Sequence, residues 1–266
     1  MDQIQLSFYH VNPKKTAVCF TFDDNFARHS ELIAPAFLQR SFRCTFYLNP
    51  GEDGFAENHL NKYLALSHQG FEIGSHGFVH DNLSKLSPAE AEKNLRDSAR
   101  SIQELFQIYP ATFAFPYHDF SNETLAMARA CHIETRNTLA DSIWVPIKTA
   151  IPLGDMLTAV EQCIEESRPL VFSGHSVILT PEEANDERLK NETGYNPILF
   201  NDLCALLDDI KERSAVIQVL TFEQAALLAY IQQNGAIDGD SFLLSEKSMN
   251  HLEAFGIGVE RLSKLM

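Results

Sequence analysis

Ala17-Val18-Cys19-Phe20-Thr21-Phe22-Asp23-Asp24-Asn25 is an apolar, strand-like run that stops at two adjacent carboxylates and a turn-former. Two neighbouring carboxylates at the end of a buried strand repel each other unless a cation sits close by. Successive strand side chains point opposite ways, so the pair can also divide its labour. One can bind a metal while the other handles a proton. The rest of the chain is read by asking what would complete that site.

Working outward, strands and helices alternate. Ala27 to Gln39 has helical spacing, and Arg43 to Leu48 is an aromatic-rich strand broken by Asn49-Pro50-Gly51. Leu60 to His68 is a short helix closed by Gly70, and Phe71 to Gly74 is a strand running into Ser75-His76-Gly77-Phe78-Val79-His80. Ser87-Pro88-Ala89-Glu90 is a capping-box start for a helix to about Phe106. Further strands are expected at residues 112–116, 133–138, 142–147, 169–175 and 215–220, with helices at 121–131, 155–166, 197–212 and 222–232. Gly194-Tyr195-Asn196-Pro197 reads as a plain turn.

This alternation predicts an α/β fold, a parallel sheet wrapped by helices, closed as a distorted (β/α)7-type barrel. Chemistry in such barrels sits at the C-terminal ends of the strands, where Asp23, Asp24, His76, His80, Pro116, Tyr117 and His175 all fall. The division expected is a catalytic barrel over 1–234 and a helical extension over 235–266 packed on it, with helices at 248–255 and 259–265.

Composition narrows the function classes. The formal net charge of −15 argues against nucleic acid or an anionic membrane as the main partner. The five cysteines are scattered, odd in number and without a C-x-x-C pair, so neither a disulfide framework nor a cysteine zinc site is expected. The first residues show no basic segment followed by an apolar run, which reads as a cytoplasmic chain; a secreted chain already trimmed of its leader would read the same way.

His76 and His80 stand four apart, the first just past a strand. On a helical turn that spacing points both imidazoles the same way, and Asp24 adds a third ligand. Two imidazoles and a carboxylate suit zinc, with Co2+, Ni2+ or Fe2+ as alternatives.

Thr21-Phe22-Asp23-Asp24, Ser75-His76-Gly77-Phe78-Val79-His80, Phe113-Ala114-Phe115-Pro116-Tyr117 and Leu170-Val171-Phe172-Ser173-Gly174-His175 occur in an order that resembles the motifs of the polysaccharide deacetylase family, which includes chitin, peptidoglycan and acetylxylan deacetylases. The resemblance implies a metal held by Asp24, His76 and His80, with Asp23 as general base and His175 as general acid. It implies a groove shaped by Pro116 and Tyr117, with the Tyr117 backbone N–H available to an oxyanion. The implied reaction is metal-assisted removal of an N- or O-linked acetyl group from an acetylated oligo- or polysaccharide. Trp144, the single tryptophan, reads either as a sugar platform or as core.

The chain departs from the family pattern in several places. Asn25 replaces the usual glycine after Asp-Asp and is expected to keep the turn by tolerating left-handed geometry. The third-motif arginine that pairs with the base is absent; Arg136, at a nearby strand end, is expected to lie on the surface, with substitution for that arginine as the alternative. His118 replaces a glycine, Ser176 stands where Asp is common, and Asp141 with Trp144 resembles only loosely the family's Asp and Trp wall around the acid histidine. Two other functions stay open on this evidence: hydrolysis of a small non-sugar amide or imide, and carbohydrate binding without turnover.

Overall fold

A computed structural model describes residues 3–186, 189, 194 and 196–266. Its strands are β1 (Gln3–Ser7), β2 (Thr16–Asp23), β3 (Thr45–Leu48), β4 (Glu72–Ser75), β5 (Thr112–Phe113), β6 (Glu134–Thr135), β7 (Ile143–Pro146), β8 (Leu170–Gly174), β9 (Val177–Ile178), β10 (Ile198–Leu199), β11 (Ile217–Leu220), β12 (Gly235–Asp238) and β13 (Ser241–Ser245). The main sheet runs β6-β5-β4-β3-β2-β8-β7, with β11 also paired to β2, and every pairing in it is parallel. Among the described residues β6 and β7 do not pair, so the barrel is open on that side. The distorted α/β barrel expected from the alternation is what forms.

β2 is the hub because it is apolar on both faces, as a strand covered on both sides must be. Val18, Phe20 and Phe22 face the helices, where Phe20 stacks on Phe172 and meets Phe37 edge-on. Cys19, Thr21 and Asp23 alternate with them toward the barrel interior. The long helix Pro88–Phe106 begins with the reciprocal Ser87–Glu90 capping box that its sequence spells. All five cysteines are free thiols.

The floor of the barrel is polar. Glu72 accepts hydrogen bonds from the hydroxyls of Thr45 (2.7 Å) and Thr112 and from the Glu223 backbone N–H (2.7 Å). Thr45 Oγ1 in turn accepts from the Phe222 N–H at 2.8 Å. The first two free N–H groups of helix Phe222–Asn234 are thus spent on the barrel, the third goes to its N-cap Thr221, and the helix plugs the barrel. Arg261 reaches from helix Val259–Leu265 to Glu223 at 2.7 Å.

Several expectations need correction. The segment 235–266 is not purely helical. β12 and β13 form an antiparallel hairpin, and β1 pairs with β13 from Gln3↔Ser245 to Ser7↔Ser241, giving a three-stranded sheet before helices Glu246–Glu253 and Val259–Leu265. The helix expected at 27–39 starts later and opens as a π-type turn, His29–Ile33, before an α-helix over Ala34–Gln39. The helix expected from 197 starts at Phe200, because Ile198–Leu199 pair with Val177–Ile178. Tyr195, in the turn read at 194–197, lies outside the described residues.

Candidate metal centre

Register brings the motifs to one rim. Phe22 lies opposite Gly174, Asp23 opposite Tyr47, Leu48 opposite Ser75, Ser75 opposite Phe113 and Phe113 opposite Thr135. Asp24, Asn49, His76, Ala114, Arg136 and His175 therefore follow the C-terminal ends of adjacent strands.

Asp24, His76 and His80 converge, with one ligand atom from each lying within 4.8 Å of the others. Both imidazole Nε2 atoms face Asp24 Oδ1, at 3.7 Å from His76 and 3.6 Å from His80. These separations are long for hydrogen bonds but suit two donors sharing an ion at bond lengths of about 2.0–2.2 Å. The Asp24 carboxylate accepts no hydrogen bond among the described residues, so its lone pairs are uncommitted. His76 Nδ1 donates to the Ala114 carbonyl at 2.8 Å, which leaves Nε2 bare. Burial pushes His76 down to about 3 and lowers His80, so both are in the neutral form a metal requires. Burial, and then the Asp23 charge, push Asp24 up to about 6. Two neutral imidazoles and a carboxylate are a donor set that fits a divalent ion.

The route by which His80 reaches the site differs from the helical turn that the spacing suggested. Residues 76–80 form a bend, with Gly77 at φ +87. Asn94, from the long helix, holds this bend: its Oδ1 accepts from the Phe78 N–H at 2.7 Å and its Nδ2 donates to the Val79 carbonyl at 3.2 Å. A Cβ at residue 77 would lie 2.7 Å from Asn94 Oδ1, so glycine is required there for space as well as φ. Glu52 Oε1 accepts the His80 backbone N–H at 2.8 Å. The left-handed residue after β2 is also not Asn25 but Asp24, at φ 68. Asn25 instead clasps the next loop, donating to the Asn49 carbonyl at 2.9 Å and accepting the Asn49 N–H at 3.2 Å.

Asp23 has its arginine. Arg136 Nη1 donates to Asp23 Oδ1 at 2.5 Å and Nη2 to Oδ2 at 2.7 Å, a bidentate pair with both residues buried. Arg136 also donates to Thr21 Oγ1 at 3.1 Å and lies over the Tyr47 ring at 5.4 Å. The reading of Arg136 as a surface residue is thus excluded, and substitution for the absent third-motif arginine is what the fold shows. Burial alone would raise the Asp23 carboxyl; the adjacent Arg136 guanidinium outweighs it and holds the group well below the usual carboxylate range.

His175 follows β8, half-buried, and its field reaches both aspartates. Its carbonyl accepts from His29 Nε2 at 2.5 Å, while His29 Nδ1 pairs with the Tyr63 hydroxyl at 2.8 Å. Asp141 does not serve it: Asp141 is exposed, and its carbonyl accepts from Arg168. Pro116 is buried and supports the turn on which Tyr117 stands, left-handed at φ 59. The Tyr117 ring is exposed and meets His80 edge-on at 4.6 Å, and its N–H goes to no acceptor among the described residues. Trp144 is 41% exposed rather than core, and contacts His118. Asp24, Asn25, Asn49, Glu52, His80 and Tyr117 line a cleft of about 420 Å³. Glu52 went unread in the sequence because nothing in Asn49-Pro50-Gly51-Glu52 distinguishes it from a loop carboxylate.

Comparison with known proteins supports the motif reading. Residues 10–135 match the family model described as polysaccharide deacetylase. "Uncharacterized protein YlxY" of Bacillus subtilis is 24% identical over 136 residues, 51% of this chain and 42% of that protein, so the match spans less than half of the relative's length. The structure of peptidoglycan deacetylase PdaC from Bacillus subtilis superimposes with a TM-score of 0.56 at 16% identity, covering 84% of this chain and 96% of PdaC. A family 4 acetyl xylan esterase from Clostridium thermocellum, in complex with a cobalt ion, gives 0.55 at 16% identity over 80% of this chain and 91% of the esterase. At these identities the structural likeness is one of fold.

Proposed function

From a chain whose residues 10–135 match the polysaccharide deacetylase family, we propose a metal-dependent hydrolase that removes acetyl groups from a carbohydrate. The observation that carries this reading is the uncommitted Asp24–His76–His80 cluster beside an Asp23 locked in place by Arg136. Zinc is the ion we assign to Asp24, His76 and His80, on the donor set alone. Such an ion, when bound, acidifies water from a pKa of 15.7 to about 7 and polarises a carbonyl.

The chain's own groups then have distinct tasks. Asp23 is ionised throughout the working pH range, and its bidentate pair with Arg136 fixes its orientation for taking a proton from the attacking water. A carboxylate so weakly basic needs an acidified water, which makes its role depend on the neighbouring ligand set. The Tyr117 N–H, which meets no acceptor among the described residues, is the donor we assign to the oxyanion of the tetrahedral intermediate. His175 protonates the leaving group. An amine leaves only when protonated, so an N-acetyl substrate depends on His175 more than an ester does.

Exposed Tyr117 and Trp144 flank the open rim, and apolar ring faces of this kind suit a sugar better than a small cyclic amide. The substrate we assign is therefore an acetylated oligo- or polysaccharide. The test is acetate release from acetylated chito-, xylo- and peptidoglycan fragments, with and without chelator, alongside metal analysis of the same protein. Chelator-sensitive release with one bound ion per chain is expected. Release of no acetate from any fragment by the zinc-loaded protein would sink the reading.

A further inference from the structure

His118 stands between Arg136, the partner of the base, and the exposed tryptophan. It is the second of two consecutive left-handed residues, Tyr117 at φ 59 and His118 at φ 53. Non-glycine residues pay energy for that conformation, so the turn is held by its contacts. Nδ1 of His118 lies 3.4 Å from Arg136 Nη2. A guanidinium can only donate, so Nδ1 is the acceptor and the ring proton of the neutral imidazole sits on Nε2. The same ring meets the Trp144 ring at 5.2 Å and 67°. Both side chains are exposed on the rim that carries Asp23 and Asp24.

We propose that His118 is a specificity-determining residue, its Nε2–H donating to a hydroxyl or acetyl carbonyl of the sugar unit seated on Trp144. This rests on the carbohydrate reading above. Arg136 fixes the tautomer, so the donor is present before substrate arrives and costs no rearrangement on binding.

Trp144 is the single tryptophan of the chain, so its emission reports on this groove alone. The zinc-loaded protein is mixed rapidly with tetra-N-acetylchitotetraose or with acetylated xylotetraose, and the emission change is read before turnover. Wild type is expected to show a saturable change with at least one of the two. His118→Gly should weaken that binding about three- to tenfold, the worth of one hydrogen bond. His118→Asn, which tolerates left-handed backbone and keeps an N–H donor, should recover most of it. The preference for the tetrasaccharide over 4-nitrophenyl acetate, a sugar-free ester, should fall by the same factor in His118→Gly. Unchanged binding in His118→Gly, no recovery in His118→Asn, or no emission change in wild type with either sugar overturns the proposal. A parallel loss on sugar and sugar-free ester also overturns it, assigning His118 to holding Arg136. Intact binding without acetate release removes the deacetylase reading and leaves this inference standing.

Discussion

The two ends of this barrel each gather two carboxylates and one arginine, and they are built to opposite ends. On the floor, Glu72 takes hydrogen bonds from two threonine hydroxyls and a backbone N–H, and Glu223 takes Arg261. At the rim, Arg136 grips Asp23 with two hydrogen bonds, and Asp24 is left with two imidazole nitrogens near 3.7 Å and no donor among the described residues. A satisfied cluster closes a structure, whereas an unsatisfied one beside a satisfied partner leaves room for a ligand. That difference is the physical ground on which we assign the working end to the rim.

The largest break in that comparison comes from the rim ligands. Asp24→Ala or His76→Ala should drop bound metal to background and acetate release by about 10³-fold or more, the worth of several kcal/mol. Asp23→Asn should keep the metal, by elemental analysis, and still lose about 10²–10⁴-fold in rate. Arg136→Met tests whether the rim's ion pair is also structural. Leaving Asp23 buried and unpaired should cost about 3–5 kcal/mol, read by denaturant titration.

The smallest effect belongs to the floor. Burial and the Glu223 charge push Glu72 up to about 7, from an ordinary 4.5. The folded state therefore holds a proton that the unfolded chain releases. This favours folding fully below pH 4.5, and the advantage is lost as pH rises through about 7. Glu72→Gln should flatten that loss by about 1–3 kcal/mol between those pH values, while acetate release at fixed pH stays near wild type. A Glu72→Gln protein with lost metal would merge the two ends into one site and break the contrast.

Much of the rim could be read in the sequence because each key residue sits one step beyond a strand. Asp24, His76 and His175 each follow a recognisable apolar run, and parallel register does the rest. Arg136 could not be placed that way. Its partner Asp23 is 113 residues away, and only the pairing of β6 against β5 brings it over the barrel mouth. β1 escaped for a similar reason. Gln3–Ser7 is half-exposed, and its partner lies at residues 241–245, so no local pattern announces the sheet they form. The spacing of His76 and His80 fits a helical turn as well as a bend, because the residue that shapes the bend, Asn94, comes from a distant helix.

The central claim is that the open cluster holds one ion on which turnover depends. Chelated wild-type protein, titrated with zinc while acetate release and bound metal are followed together, tests it most directly. The account predicts that release rises with metal and levels off at about one ion per chain, and that Asp24→Ala neither binds the ion nor recovers. Full acetate release from a protein shown to be metal-free would contradict it.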